Sequence, residues 1–301
     1  MNTNSEQKRA HMSTITSTSP INTDSSIIKT SLNTAMKGGI AGSSAMVLQV
    51  CSLMWLRTTM NYQYRHGTRF FETIQKLYNQ GGVPRFYRGI TPALLQGPLS
   101  RFGDTAANIG VLSYLNNNEK TRNLNIGVKT GIASGVASLW RINLMPLDTL
   151  KTMLQVKGKK ALPVLKKKYK MGGPSIFYHG ALGAFGATYM GYFPWFYTFN
   201  LLNEKLPEYK DNELKRLSRN ATIGFTASVT SDCISNSMRV IKTSKQSYYR
   251  PISYFGITNK IIEKDGILGL MGRGLKTRIL SNALQGMMFS VLWKFFMDKM
   301  E

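Results

Sequence analysis

One unit recurs three times along this chain, and that periodicity limits the fold more than any other feature. The clearest copy is Pro146-Leu147-Asp148-Thr149-Leu150-Lys151-Thr152-Met153-Leu154-Gln155. Ser237-Met238-Arg239-Val240-Ile241-Lys242-Thr243-Ser244-Lys245-Gln246 repeats its frame and its closing Lys-Thr-x-x-Gln. Ser52-Leu53-Met54-Trp55-Leu56-Arg57-Thr58-Thr59-Met60-Asn61 repeats the frame more loosely. The starts at 52, 146 and 237 lie 94 and 91 residues apart. A second element trails each copy: Phe86-Tyr87-Arg88-Gly89, Phe177-Tyr178-His179-Gly180 and Met271-Gly272-Arg273-Gly274. Its glycines follow Arg57, Lys151 and Lys242 by 32, 29 and 32 residues. Two elements in register divide the chain into a polar tail (1–31) and units at 32–118, 119–210 and 211–301.

Each unit has the same inner order. A Gly/Ala/Ser-rich apolar stretch runs into the first element (32–56, 125–150, 219–241), a basic stretch with short helical periodicity follows, and a second apolar stretch begins at the glycine (89–115, 180–203, 274–297). Six such stretches are each long enough to cross a hydrocarbon layer as helices. None is a clean run of 18 uncharged apolar residues, and Arg101 and Asp104, Arg141, and Asp232 interrupt three of them. An amphipathic bundle in water would also carry such charges. Spans around a wet cavity account for them too, and the small-residue runs Gly38-Gly39-Ile40-Ala41-Gly42 and Gly131-Ile132-Ala133-Ser134-Gly135 suit close helix contact in lipid.

Charge decides between these readings. Lys and Arg number 39 against 15 Asp and Glu, a formal net charge of +24, which calls for nucleic acid or a membrane as counterpart. Residues 57–88 hold six basic residues against Glu72, residues 151–180 hold eight Lys and no acid, and residues 239–273 hold seven basic residues against Glu263 and Asp265. The opposite connector 203–216 is balanced, four acids against four bases. Basic charge on one side only is the signature of a multi-span protein, and a nucleic-acid binder has no reason to alternate in this way. Enzyme chemistry finds no footing, because there is no phosphate-binding glycine loop, carboxylate pair or nucleophile with a base. His11, His66 and His179 lie too far apart in sequence to suggest a metal site, and no cofactor is expected. Cys51 and Cys233 read as packing residues within the spans.

The Pro-x-Asp-x-x-Lys box, the short helix after it and the aromatic-basic-Gly element, three times over, resemble the mitochondrial carrier family across residues 32–297. The resemblance implies an all-α membrane protein: six transmembrane helices in a threefold pseudosymmetric barrel, with short matrix helices between each pair. It implies a monomer in the mitochondrial inner membrane that moves a small metabolite, nucleotide or cofactor by alternating access. The tail shows neither a secretory signal nor an Arg-rich presequence, and members of the family commonly carry internal import information. Units one and three depart from the pattern, with Ser52 and Ser237 for Pro and with Met54 and Arg239 for the acid. A transport-inactive adaptor or scaffold is the alternative that such boxes raise.

The resemblance also assigns roles. Acid and base of the box form a gate on the matrix side, so Asp148 is expected to pair with Lys242, Met54 to leave Lys151 without its acid, and Arg239 to face Arg57 repulsively. The second, cytoplasmic gate has no ion-pair counterpart at Phe199-Asn200-Leu201-Leu202-Asn203 or at Trp293-Lys294. Substrate contacts seven and eight residues after each glycine become Gln96 and Gly97, Ala187 and Thr188, and Ser281 and Asn282. Arg101 and Asp104 continue that stripe, and five residues before the boxes stand Val47, Arg141 and Asp232. The quartet Arg101, Asp104, Arg141 and Asp232 has no net charge, which leans towards an amino-acid-like or carboxylate substrate. As a purely structural set it would pair Arg101 with Asp104 and Arg141 with Asp232. Tyr192 and Trp195 are either a stacking wall or plain packing. Gly89, Gly180 and Gly274 precede helix N-termini, where unsatisfied N–H groups favour phosphate, and the resemblance places cardiolipin headgroups there.

Overall fold

In a computed structural model the described residues are 25–117, 120–207, 209 and 213–298, and among them the chain is helical with no strand. The first unit holds α1 (Ser25–His66), α2 (Phe70–Asn79) and α3 (Ile90–Asn117). The second holds α4 (Ile126–Asn143), α5 (Met145–Lys157), α6 (Ala161–Gly172) and α7 (Ala181–Lys205). The third holds α8 (Glu213–Ser247), α9 (Tyr254–Gly272) and α10 (Leu275–Asp298). Helix α1 starts seven residues inside the expected polar tail, and residues 1–24 lie outside the described residues.

The boxes explain why the three long helices differ. Pro146 cannot donate to a helical ladder, and the helix of the second unit breaks at Leu144, so that Pro146 falls in the first turn of α5 where no donor is missed. Serine at 52 and 237 keeps its N–H, and α1 and α8 run unbroken for 42 and 35 residues. A box in each unit would by resemblance bend all three helices, but the structure has one break and two continuous helices.

Glycine closes each unit. Gly82, Gly173 and Gly266 turn the chain with φ of 62°, 59° and 72°, and Gly89, Gly180 and Gly274 turn it again with φ of 90°, 98° and 66°. The second set also sits against the long helix of the next unit. A Cβ on Gly89 would lie 3.0 Å from the Lys151 carbonyl, one on Gly180 3.2 Å from the Lys242 carbonyl, and one on Gly274 3.3 Å from the Met60 carbonyl. The long helices contact their chain neighbours in order, and α10 returns to α1, which closes a ring. Within a unit, Thr58 Oγ1 donates to the Phe86 carbonyl and Thr149 Oγ1 to the Phe177 carbonyl, both at 2.6 Å, while Asn236 Nδ2 reaches the Met271 carbonyl at 2.6 Å.

Polarity is turned inward. Asp232 is 3 % exposed and Ser235 and Asn236 are fully buried in the middle of α8, whereas Phe193 is 76 % and Leu182 68 % exposed on α7. Among the described residues no helix is long and apolar enough by hydropathy to cross a membrane. In α8 these inward polar residues lower the mean hydropathy.

Replacing Ser237 with Pro is expected to cost about 3 kcal/mol, because an interior Pro removes a ladder bond and clashes with the preceding turn. Pro146→Ala is expected to leave stability nearly unchanged. Thermal melting of the two purified variants checks both.

Candidate functional site

The ring encloses a cavity of about 310 Å³. At its box end the second unit places Asp148, 3 % exposed, in the first turn of α5. Lys242 of α8 meets one carboxylate oxygen at 2.7 Å, and Lys151, one helical turn on, meets the other at 3.0 Å. Two amides complete the shell: Gln96 Nε2 donates to Asp148 Oδ1 and Gln246 Nε2 to Asp148 Oδ2, both at 2.9 Å. Gln96 turns its own carbonyl to Lys151. A single carboxylate thus accepts from α3, α5 and α8, which span all three units. This satisfaction is what makes a buried ion tolerable.

The missing acids of the other two boxes are replaced in different ways. Met54 is fully buried, and its sulfur receives Gln155 Nε2 at 3.6 Å, while Asn61 Nδ2 donates to Gln155 Oε1 at 2.5 Å. Lys151, without an acid at 54, turns to Asp148 and Gln96. Arg57 donates to Gln285 Oε1 of α10 at 2.5 Å, and Arg239 points along its own helix to Ser235 Oγ at 3.2 Å, with Asp232 at 4.0 Å. The expected opposition of Arg57 and Arg239 is resolved by giving each guanidinium its own partners.

Deeper in the cavity, Gln96, Arg141, Thr188, Ser281 and Asn282 all line the wall, and Arg141 Nη1 donates to Thr188 Oγ1 at 3.3 Å. Asp232 lies behind the wall and is held by Arg278 Nε at 2.6 Å and by the Asn282 amide. The carboxylate expected for Arg141 therefore belongs to Arg278, a residue on α10 that the repeat register did not single out. Its signal was an arginine inside the sixth apolar stretch. Gln285 was also missed, as a neutral residue in an apolar run. The side chains of Arg101 and Asp104, and those of Trp293 and Lys294, lie outside the described residues. Tyr192 and Trp195 stack on rings of their own helix, with centroids 6.2 Å from Phe196 and 5.0 Å from Phe199, and neither lines the cavity.

Of the quartet expected to carry no net charge, only Arg141 and Asp232 have described side chains. Among the described residues six cations line the cavity (Arg57, Arg141, Lys151, Arg239, Lys242 and Arg278) against one acid, Asp148. Counting Asp232 behind the wall, four positive charges remain in excess. At the far end, where ion pairs are not expected, Arg219 clamps the α7 terminus by donating to Asn203 Oδ1 at 2.9 Å and to the Leu206 carbonyl at 3.0 Å.

Of the three helix starts expected to hold phosphate, the one after Gly180 has a protein occupant. The Leu182 N–H donates to the Tyr254 hydroxyl at 3.1 Å. Nearby, burial and the Lys168 and Lys245 charges hold the His179 imidazole down at about 4. Burial and the charges of Arg65, Lys157, Lys264 and Arg273 hold His66, at the end of α1, at about 3.

The sequence pattern of the family described as Mitochondrial carrier protein matches residues 29–117 and 124–210. No curated protein matches the chain.

Asp148→Asn removes the counter-charge of two buried ammonium groups and is expected to destabilise the protein by about 3 kcal/mol, read as a lower melting temperature. Because the His66 pKa is depressed in the folded state, its contribution is complete at neutral pH and is lost as pH falls below the unfolded value of about 6.5. The melting temperature should therefore fall between about pH 7 and about pH 5, with a smaller fall in His66→Gln.

Proposed function

The chain belongs to the mitochondrial carrier family, whose members transport solutes, and we propose that it moves a small carboxylate across the mitochondrial inner membrane by alternating access. The observation that carries this reading is the cation-rich cavity, six basic side chains against one acid among the described residues. Guanidinium groups match carboxylates in a planar, two-pronged geometry. An amino-acid substrate would also need an anion for its ammonium group. Asp148 is already shared by Lys151 and Lys242, and Asp232 by Arg278. That favours the carboxylate over the amino acid.

In this reading the six long helices cross the membrane with exposed apolar residues such as Phe193 and Leu182 towards lipid and with charge towards water in the cavity. The boxes face the matrix. Asp148 with Lys151, Lys242, Gln96 and Gln246 is the closed matrix gate, and Arg57 and Arg239 add hydrogen bonds to it without an ion pair of their own. One hub in place of three ion pairs makes a gate that few contacts need to leave. Arg141 and Thr188, facing Ser281 and Asn282, form the solute contacts. Cardiolipin headgroups are proposed at the helix starts after Gly89 and Gly274, the two where no protein hydroxyl is described on the N–H groups.

The test is uptake of labelled mono-, di- and tricarboxylates, amino acids, phosphate and nucleotides into liposomes holding the purified protein. Uptake of a carboxylate is expected. Arg141→Glu is expected to reduce it about a hundredfold, the scale of a lost charge-assisted hydrogen bond of about 3 kcal/mol. Folded protein that takes up no solute would overturn transport in favour of an adaptor or scaffold. Unchanged uptake in Arg141→Glu would remove Arg141 from the site.

A further inference from the structure

Helices α1, α5 and α8 all end at the box end of the ring, and each leaves carbonyls without a helical partner. At each end a cation of the preceding unit, taken cyclically, donates to such a carbonyl, and at the α1 end the Ser244 hydroxyl of the third unit also reaches the Tyr64 carbonyl at 3.1 Å. Arg85 of the first unit sends Nη2 to the Val156 carbonyl of the second at 3.1 Å. Lys168 of the second, on α6, sends Nζ to the Lys245 and Gln246 carbonyls of the third at 3.1 and 3.0 Å. Lys264 of the third, on α9, reaches the His66 carbonyl of the first at 3.0 Å. These cations follow Arg57, Lys151 and Lys242 by 28, 17 and 22 residues. They do not share one register position, so the same geometric need is met from three different places.

Glycines at two of the helix ends admit side chains of the preceding unit, and at α5 these include Arg85 itself. Gly158 caps α5 with φ of 60°, and a Cβ there would lie 2.9 Å from Arg85 Nε and 3.0 Å from Arg88 Nη1. Gly67 follows α1 with φ of 73°, and a Cβ there would meet the paired Asp265 carboxylate and Arg273 guanidinium of the third unit, beside Lys264 in the chain. A cation at a helix C-terminus also meets the negative end of the helix dipole.

The three contacts are unequal. Arg85 is 1 % exposed and Lys168 is fully buried, so water does not compete for the carbonyls they hold. Lys264 is exposed, and an exposed charge contact is weak because solvent screens it.

We propose that Arg85, Lys168 and Lys264 are positioning residues that latch each unit to the long helix of the next, and that the Lys264 latch between the third and first units yields first when this end opens. The device differs from the Asp148 hub in holding backbone carbonyls where the hub joins side chains, and the two meet at Gln246, whose amide reaches Asp148 and whose carbonyl accepts from Lys168. It depends on no particular solute.

The test uses the full chain, freed of its two cysteines, purified in detergent without solute and carrying pairs of spin labels across each seam. Exposed positions serve: Tyr78 with Lys160, Lys166 with Arg250, and Glu263 with Arg69. Pulsed electron-resonance distances are expected to be broadest for Glu263 with Arg69. Lys264→Gln, at a solvent-facing site that folding does not depend on, should lengthen and widen that distribution alone. Lys168→Met should widen Lys166 with Arg250 alone, and Lys168→Arg should restore it. Equal widths at all three seams would overturn the order of release. No change in either loss variant, or equal widening everywhere, would overturn the latches. A failed uptake measurement leaves these distances as they are, so the two readings fail separately.

Discussion

A single buried carboxylate organises the closed end of this molecule. Asp148 draws lysines from two helices and amides from two, and its donors come from all three units. Removing a carboxylate from water is costly, and only a full shell of donors offsets that cost. The three units are thus obliged to converge on one point. Around it the other two boxes manage without acids, through Met54 against Gln155 and through arginines turned to Gln285 and Ser235. Neutral amides can substitute for ion pairs here because the site needs satisfied hydrogen bonds more than it needs net charge.

The distribution of polarity joins fold to function. A chain whose buried middle holds Asp232, Ser235 and Asn236 while Phe193 and Leu182 are exposed is organised against a surround that is not bulk water. Among the described residues no helix is long and apolar enough by hydropathy to cross a membrane, and in α8 the inward polar residues contribute to that. The excess of cations in the cavity is the chemical consequence. Charges that would be costly in lipid are gathered on the wall of a cavity.

Glycines and cations share the work at the seams. Gly89, Gly180 and Gly274 let each unit approach the backbone of the next, and Gly158 admits the guanidinium groups of the first unit to the end of α5. Where the backbone approaches, carbonyls at the helix ends need donors, and the basic stretches after each box supply them. The strong positive charge of these stretches therefore has a local structural use.

Much was legible in the sequence because repetition and covalent chemistry are local. Three copies in register and a helix disturbed at Pro146 follow from residue types at fixed spacing, and the resemblance added the pairing of Asp148 with Lys242, whereas the unbroken helices at Ser52 and Ser237 were not foreseen. The sequence could not show that Asp232 belongs to Arg278 and not to Arg141, or that Arg57 and Arg239 part company. Those choices depend on which side chains from helices far apart in the chain come within hydrogen-bond reach. The same holds for the latches, whose cations occupy no common register position. Local pattern determined the units and their helices; only the closing of the ring decided which charges share a carboxylate and which end on a carbonyl, because a charge selects its partner by distance across the fold.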